Sequence, residues 1–272
     1  MKLVKSSTKR VASYNSPLSK REAALLADWE RARRAIISMK DLREALGPAA
    51  KDVAYLMVRK GVLGRVGRGR YLVRPLRTQG RPTAASAPVL AAAFMLGKRY
   101  YAGGLWALSF HRLTEQQHAS TLDVFSTKKN PPRTLGHVRL LFHRVRPAAL
   151  TYGTAGAEVE GVGIVVSTPE RTLLDLLDLP ALAGGTAQAL RYLEAALPKV
   201  STKVLVEYAA RGSRTSTCQR LGVVLERAGV PGRELRPLAH RVRETRSVLS
   251  MASGYQREGP VNRRWRVVEN DR

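Results

Sequence analysis

Cysteine, acidic residues and long apolar segments are all scarce in this 272-residue chain, and each shortage excludes a class of protein. The single cysteine, Cys218, rules out an internal disulfide framework and suits a reducing cytoplasm. No apolar segment approaches the roughly 20 residues that a membrane-spanning helix requires. The basic N-terminal segment also lacks the apolar core of a signal peptide. The sequence therefore predicts a cytoplasmic protein that has no membrane partner.

Motifs for catalysis, metals and cofactors are equally scarce. The five histidines have no zinc-ligand spacing, and Cys218 has no second thiol nearby. The chain contains no P-loop, dinucleotide-binding glycine motif or serine-nucleophile elbow. Glu170, Asp175 and Asp178 can be read as carboxylate ligands for a metal, but Arg171 is placed to pair with Asp175 four residues on. We therefore predict a protein that is not an enzyme and has no cofactor and no metal site.

The shortage of acidic residues leaves a large excess of positive charge. There are 47 Lys and Arg residues against 21 Asp and Glu, which gives a formal net charge of +26. Residues 1–82 contain 20 basic and 6 acidic side chains, or +14, and the remaining 190 residues contain 27 and 15, or +12. Such a charge favours a polyanionic partner, and without membrane signals the best candidate is nucleic acid.

Residues 36–74 contain the clearest structural pattern in the chain. Ser38 and Asp41 predict a capped helix start, and Gly47-Pro48 predicts the end of that helix and the beginning of another over residues 49–60. A basic hairpin follows, with its turn at Gly67-Arg68-Gly69. Together with a helix predicted over residues 19–34, this order of elements is typical of a winged helix-turn-helix.

Six side chains of this segment are predicted to contact double-stranded DNA. The second helix of the pair offers three of them at four-residue spacing, which suits the major groove, and the hairpin offers three arginines to the backbone or the minor groove. The sequence places Val53, Leu56, Met57 and Lys60 near another side of the same helix. A solvated basic hairpin without a DNA partner is the alternative interpretation. The predicted DNA contacts are Lys51, Tyr55, Arg59, Arg65, Arg68 and Arg70.

The rest of the chain predicts a second, larger domain, so that the fold class is α+β. Strands are predicted over residues 121–126, 138–145 and 162–167, and an apolar core helix across residues 100–116. Helices are predicted from a cap at Thr168 and over residues 186–197, 202–210 and 216–227. The predicted division is a basic flexible arm at 1–18, the winged helix-turn-helix at 19–75, a proline-rich linker at 76–88 and an α+β domain at 89–272.

Arginines are also concentrated in the second domain, between residues 211 and 236. Solvated surface arginines are one interpretation of this cluster. The other is a second surface that contacts DNA or a protein partner, which would extend the small footprint of a single winged domain. The residues assigned to that surface are Arg211, Arg214, Arg220 and Arg227.

Three sequence blocks resemble the AbiE-type (abortive infection) antitoxins of type IV toxin–antitoxin systems. They are GVLGRVGRGRYLVRP at 61–75, YYAGGLWALSFHRLTEQ at 100–116 and STPERTLLDLLDLPALAGG at 167–185. Their order and separation are also similar, and the resemblance extends over about residues 20–270. It implies an N-terminal domain that binds an operator of inverted repeats and represses its own operon. It further implies a C-terminal domain that counteracts a nucleotidyltransferase-like toxin.

A nucleic-acid enzyme is the alternative function. In that case a winged domain would deliver a nuclease to DNA, and carboxylates within residues 158–178 would carry the chemistry.

Overall fold

The computed structural model describes residues 17–74, 85–253 and 258–271. The chain divides into two compact units. The first runs to Gly97 and includes residues 159–162, and the second contains the remainder. Helices and sheets occur in both units, so the predicted α+β class is confirmed. Most of the predicted arm and of the predicted linker lies outside the described residues.

The first unit combines helices with a small antiparallel sheet. Strand β3 lies in the centre of the sheet, between β1 and β2, and Ile37 is paired with Tyr71 across β1 and β3. Its elements are α1 (Lys20–Arg31), β1 (Ile36–Ser38), α2 (Met39–Leu46), α3 (Ala50–Arg59), β2 (Leu63–Gly67), β3 (Arg70–Val73) and α4 (Ala87–Phe94).

Helices α1 and α2 both begin with a capping box. The Ser19 hydroxyl accepts from the Glu22 backbone N–H while the Glu22 carboxylate accepts from the Ser19 N–H, and Ser38 and Asp41 repeat the arrangement at α2. The predicted helix start at Ser38 is thereby confirmed. Burial opposes ionisation of Asp41, but hydrogen bonds from Ser38 and Arg34 lower its pKa to about 2.

A buried ion pair joins α1 to the end of α3. Lys60 Nζ lies 2.5 Å from Glu22 Oε2, and Glu22 is only 3% exposed. Burial disfavours the carboxylate, yet hydrogen bonds from Lys60 and Ser19 hold the pKa of Glu22 below its usual range. Leu26 and Trp29 of α1 belong to the apolar core of the same unit. The pair therefore restricts how α3 can rotate, because separating the partners would leave a buried charge uncompensated.

Helix α4 belongs to the first unit, whereas the sequence pattern placed most of its residues in the second domain. Its residues 87–93 are all buried, and the helix packs against β2 and β3. The alanines and the proline of this segment do not indicate which sheet the helix packs against. A boundary drawn at the proline-rich composition therefore leaves the helix on the wrong side.

The second unit is built on a six-stranded mixed sheet with the order β6-β7-β5-β4-β9-β8. Two of the three predicted strands have the predicted bounds, and the third ends one residue early. In the centre, β4 is antiparallel to β5 and parallel to β9. The strands are β4 (Tyr100–Gly103), β5 (Thr121–Ser126), β6 (Arg133–Leu135), β7 (Val138–Arg144), β8 (Thr154–Val159) and β9 (Val162–Ser167).

The helices of the second unit enclose its largest apolar core. Leucines and valines of α6 to α9 fill this core, and the fully buried Trp265 packs within it. A small sheet with the order β10-β12-β11 packs at the end of the chain. The elements are α5 (Gly104–Phe110), α6 (Pro169–Asp178), α7 (Thr186–Ala196), α8 (Thr202–Gly212), α9 (Thr215–Arg227), α10 (Arg236–Arg243), β10 (Leu249–Ser250), β11 (Val261–Asn262) and β12 (Val267–Val268).

The core helix predicted across residues 100–116 is correct only for residues 104–110, and its first and last parts are wrong. Residues 100–103 form the central strand β4, and the chain turns into α5 at Gly104. Gly104 has a positive φ of 65°, and a Cβ there would lie 2.1 Å from Asp123 Oδ2. Only glycine fits this strand-to-helix turn. The aromatic and apolar content of the segment suits a buried strand as well as a buried helix, and periodicity could not separate them.

The predicted ion pair between Arg171 and Asp175 is confirmed, and it is buried. Arg171 Nε lies 2.8 Å from Asp175 Oδ1, and the Tyr101 hydroxyl donates to Asp175 Oδ2 over 2.9 Å. Burial raises the pKa of Tyr101, so the phenol keeps its proton and can donate. Burial likewise raises the pKa of Asp175 to about 6, against the effect of the adjacent guanidinium. This network links α6 to β4.

Asp175→Ala should lower the free energy of unfolding by about 3–5 kcal/mol, because the Arg171 guanidinium would remain buried without its partner. Glu207→Ala is the control, since it removes an exposed carboxylate from α8 and should change stability by no more than about 0.5 kcal/mol. Urea denaturation of the full chain, followed by circular dichroism, measures both. Equal unfolding midpoints for the two variants would contradict the stabilising role of the network.

Candidate nucleic-acid interface

One side of α3 faces solvent with a defined set of side chains. Ala50, Ala54 and Met57 form its buried side. Residues on the opposite side recur at positions i, i+3, i+4 and i+7, which is one stripe of a helix. Tyr55 is 61% exposed and Leu56 is 43% exposed. We call this set the α3 stripe, and its members are Asp52, Tyr55, Leu56 and Arg59.

The α3 stripe differs from the face expected from the sequence. Tyr55 and Arg59 are exposed, as the predicted contacts require, and Lys51 is exposed on the flank. Leu56 and Met57 were placed near one side of the helix, but Met57 is buried whereas Leu56 is exposed. Two small alanines fill the inner side instead, and the repeat Ala50-Ala54-Met57 in the sequence could have revealed it. Asp52 belongs to the stripe although it was not among the predicted contacts.

Cations surround the start and the end of α3. Lys51 and Arg43 line a shallow depression of about 380 Å³ beside the turn between α2 and α3. At the other end, the guanidinium of Arg59 lies 5.8 Å from the centre of the Tyr55 ring, within the range of a cation–π contact. This contact limits the positions that Arg59 can adopt on the helix surface.

The hairpin between β2 and β3 is braced by the start of α2. The Met39 N–H donates to the Gly69 carbonyl over 2.8 Å, and Gly69 has a positive φ of 67° that suits glycine. Arg65 and Arg68 project from this hairpin and are exposed. Within the described part of the chain, neither has an ion-pair or hydrogen-bond partner. The hairpin thus presents two available cations on a fixed support.

Arg70 was predicted to contact DNA, but the structure gives it an internal role. Its side chain is half-buried, and its Nη1 donates to the carbonyl of Phe94 in α4. The guanidinium also lies 6.0 Å from the centre of the Phe94 ring. Arg70 therefore fastens β3 to α4 within the first unit and does not belong with the available cations of the hairpin.

Two of the four arginines assigned to a second surface are also internal. Arg220 Nε donates to the carbonyl of Met251 over 3.0 Å, and burial lowers the pKa of its guanidinium. Arg227 pairs with Glu269 at 2.5 Å and with Asp271 at 2.7 Å. Both side chains fasten α9 to the C-terminal segments. Sequence alone could not distinguish them from surface arginines, because their partners lie 30 or more residues away.

Arg211 and Arg214 remain exposed in the second unit. Arg211 lies 4.5 Å from the centre of the Tyr152 ring, which orients its guanidinium. Arg241 donates to the Ser213 carbonyl over 3.0 Å and so holds α10 next to the junction of α8 and α9. Helix α10 was not predicted, although the four- and three-residue spacing of its exposed basic residues indicates a helix face. The exposed basic side chains of this region are Arg211, Arg214, Arg233, Arg236, His240, Arg241 and Arg243.

Three of the five candidate carboxylates for a nuclease are held by structural contacts, whereas Glu158 and Glu160 are exposed. Asp175 is buried in its pair with Arg171. Glu170 accepts from the Ser201 backbone N–H, and Asp178 accepts from that of Arg214. In the described parts of the chain, no three His, Cys, Asp or Glu side chains converge in a way that would hold a metal ion. No helix among those residues is long and apolar enough to cross a bilayer.

Comparison with known proteins identifies a structural relative. No family model and no curated protein matches the chain. The crystal structure of the RV2827C protein from Mycobacterium tuberculosis is similar over 94% of each chain, with a TM-score of 0.64 and 19% sequence identity. The two chains share one fold. At this level of identity the likeness concerns the fold alone.

Arg70→Ala should lower the free energy of unfolding by about 1–2 kcal/mol, because it removes a hydrogen bond and a cation–π contact to α4. Arg68→Ala removes the same charge from the same hairpin but should leave stability within about 0.5 kcal/mol of the original. Urea denaturation of the full chain compares the two variants. If both unfold at the same urea concentration, the bracing role of Arg70 is wrong.

Proposed function

We propose that the protein is a DNA-binding repressor whose first unit is a winged helix-turn-helix. The order of helices and strands in this unit supports the proposal, with α2 and α3 as the helix pair and β2–β3 as the wing. In this interpretation α3 enters the major groove and the wing contacts the adjacent backbone. Double-stranded DNA is then the principal partner.

The observation that carries the proposal is the combination of the α3 stripe with the hairpin cations. Arg65 and Arg68 are exposed on a braced hairpin, without partners in the described part of the chain. Cations of this kind can neutralise phosphates and release the counterions that condense on DNA. The α3 stripe supplies side chains for base edges from the same unit. The alternative interpretation, a solvated hairpin without a DNA partner, explains neither the hydrogen bond that braces the hairpin nor the α3 stripe beside it.

The biological role within the proposal is that of an antitoxin, and the sequence resemblance supports it. Of the three resembling blocks, 61–75 builds the hairpin, 100–116 builds β4 and α5, and 167–185 builds α6 with its buried pair. We infer that the protein represses its own toxin–antitoxin operon at an operator of inverted repeats and counteracts a nucleotidyltransferase-like toxin. The nuclease alternative has less support, because three of its five candidate carboxylates, Glu170, Asp175 and Asp178, are engaged in structural contacts.

The double variant Arg65→Ala/Arg68→Ala should weaken binding to all duplexes and reduce its salt dependence. The slope of log K against log salt is negative, and each lost phosphate contact reduces its magnitude by about 0.9, so the loss of two contacts should reduce the magnitude by about 1.8. Fluorescence anisotropy of the full chain with a labelled duplex, over a range of NaCl concentrations, measures the slope.

Arg191→Ala/Lys203→Ala is the matched control, because it removes two exposed charges from the second unit. This control should keep the original slope if the hairpin contacts DNA directly. Equal slopes for the original protein and both double variants would remove the hairpin from the interface. Absence of salt-dependent binding to any duplex would refute the DNA-binding function.

Protection against a toxin should survive the loss of DNA binding. We expect co-expression of the full chain to relieve growth arrest by a nucleotidyltransferase-like protein encoded beside it. Arg65→Ala/Arg68→Ala should protect equally well but should fail to repress a reporter placed behind the promoter of the operon. Growth curves and reporter activity separate the two roles. Growth arrest that persists when the soluble original protein is present would exclude the antitoxin role and leave the repressor role intact.

A further inference from the structure

Phosphate binding does not explain the composition of the α3 stripe. Its formal charges cancel, because Asp52 carries −1 and Arg59 carries +1, whereas the whole chain carries +26. A carboxylate facing outward from the first turn of α3 would repel the DNA backbone. The stripe is therefore better suited to base edges, where a carboxylate can accept a hydrogen bond from cytosine N4.

Leu56 is the member of the stripe that offers no hydrogen bond. A single exposed leucine is ordinary on a protein surface. Here, however, Leu56 adjoins Tyr55, and the two are 43% and 61% exposed. They place two large, mainly apolar side chains on the exposed side of the helix, one on each side of Asp52 and Arg59. The inner side of α3 is already filled by Ala50, Ala54 and Met57, so Leu56 has no place in the core.

The major groove contains one apolar group that can meet such a side chain. Thymine carries a 5-methyl group on its major-groove edge, and cytosine, adenine and guanine do not. Contact with that methyl group removes apolar surface from water on both partners. A leucine can therefore distinguish thymine from the other bases without making a hydrogen bond.

We propose that α3 selects a thymine in its binding site through contact between the Leu56 side chain and the thymine 5-methyl group. The inference rests on the proposed DNA-binding function and adds a specificity-determining residue to it. The hairpin then supplies most of the affinity through Arg65 and Arg68, and the neutral α3 stripe supplies the sequence preference.

Selection from a random duplex library locates the thymine and does not require the operator sequence. The full chain and its Leu56→Ala variant are each used to select bound duplexes, which are then sequenced. One position should show a thymine preference with the original protein and lose it with the variant, while preferences at other positions persist. If both proteins select the same bases at every position, the inference is wrong.

Replacement of that thymine by uracil removes the methyl group and leaves every hydrogen-bonding atom in place. We expect this change to weaken binding by the original protein about fourfold, which corresponds to one buried methyl group. Leu56→Ala should bind the thymine and uracil duplexes equally. Leu56→Met keeps the apolar bulk and should keep the uracil penalty. The double variant Arg191→Ala/Lys203→Ala, which changes only exposed residues of the second unit, should keep it as well.

The outcomes separate this inference from the function on which it rests. An unchanged uracil penalty in Leu56→Ala would overturn the inference while leaving DNA binding established. A change in oligomeric state in Leu56→Ala, with the thymine preference retained, would make this face a contact between copies of the chain and also overturn it. Failure of the original protein to bind any duplex would overturn the proposed function and the inference together.

Discussion

The buried pair between Glu22 and Lys60 determines how the first unit presents α3. A charged pair with a 3%-exposed carboxylate tolerates little rotation of the helix that carries its partner, because breaking such a pair costs about 3–5 kcal/mol. Helix α1 holds the end of α3, and two alanines and Met57 fill the inner side of α3. These contacts fix which side of α3 faces solvent. Packing thus determines which side chains of α3 face outward. Any recognition of DNA by this helix would depend on those side chains.

Positive charge in this chain has two separate uses. Arg70, Arg220 and Arg227 are held by carbonyl oxygens or carboxylates, and they connect elements that are distant in sequence. Arg65 and Arg68 have no such partners in the described part of the chain. The net charge therefore overstates the number of arginines that a polyanion can contact. An arginine with an internal partner still contributes to the long-range field, but its hydrogen bonds are made to the protein.

Local signals predicted much of the fold, and long-range contacts account for the errors. The capping box at Ser38, the cap at Thr168 and the strand over residues 121–126 depend on neighbours in sequence, and all three are confirmed. The strand at residues 100–103 depends on pairing with β5 and β9, and the burial of Arg220 depends on a carbonyl 31 residues away. At the candidate site, exposure of Tyr55 and Arg59 followed from helical spacing. The exposure of Leu56 did not, because it depends on the alanines that face the core.

Under the proposed DNA-binding function, the neutral α3 stripe and the basic hairpin would meet two different demands of recognition. Affinity for phosphates is independent of sequence, so a recognition helix covered with cations would hold every duplex about equally well. On the proposed function, an outward Asp52 would weaken that general attraction near the bases and leave the hairpin cations to contact the phosphates. A leucine in the same stripe gains contact area only where a methyl group is present. We therefore expect the proposed repressor to release incorrect sites quickly and to remain on one correct site, as repression of a single operon would require.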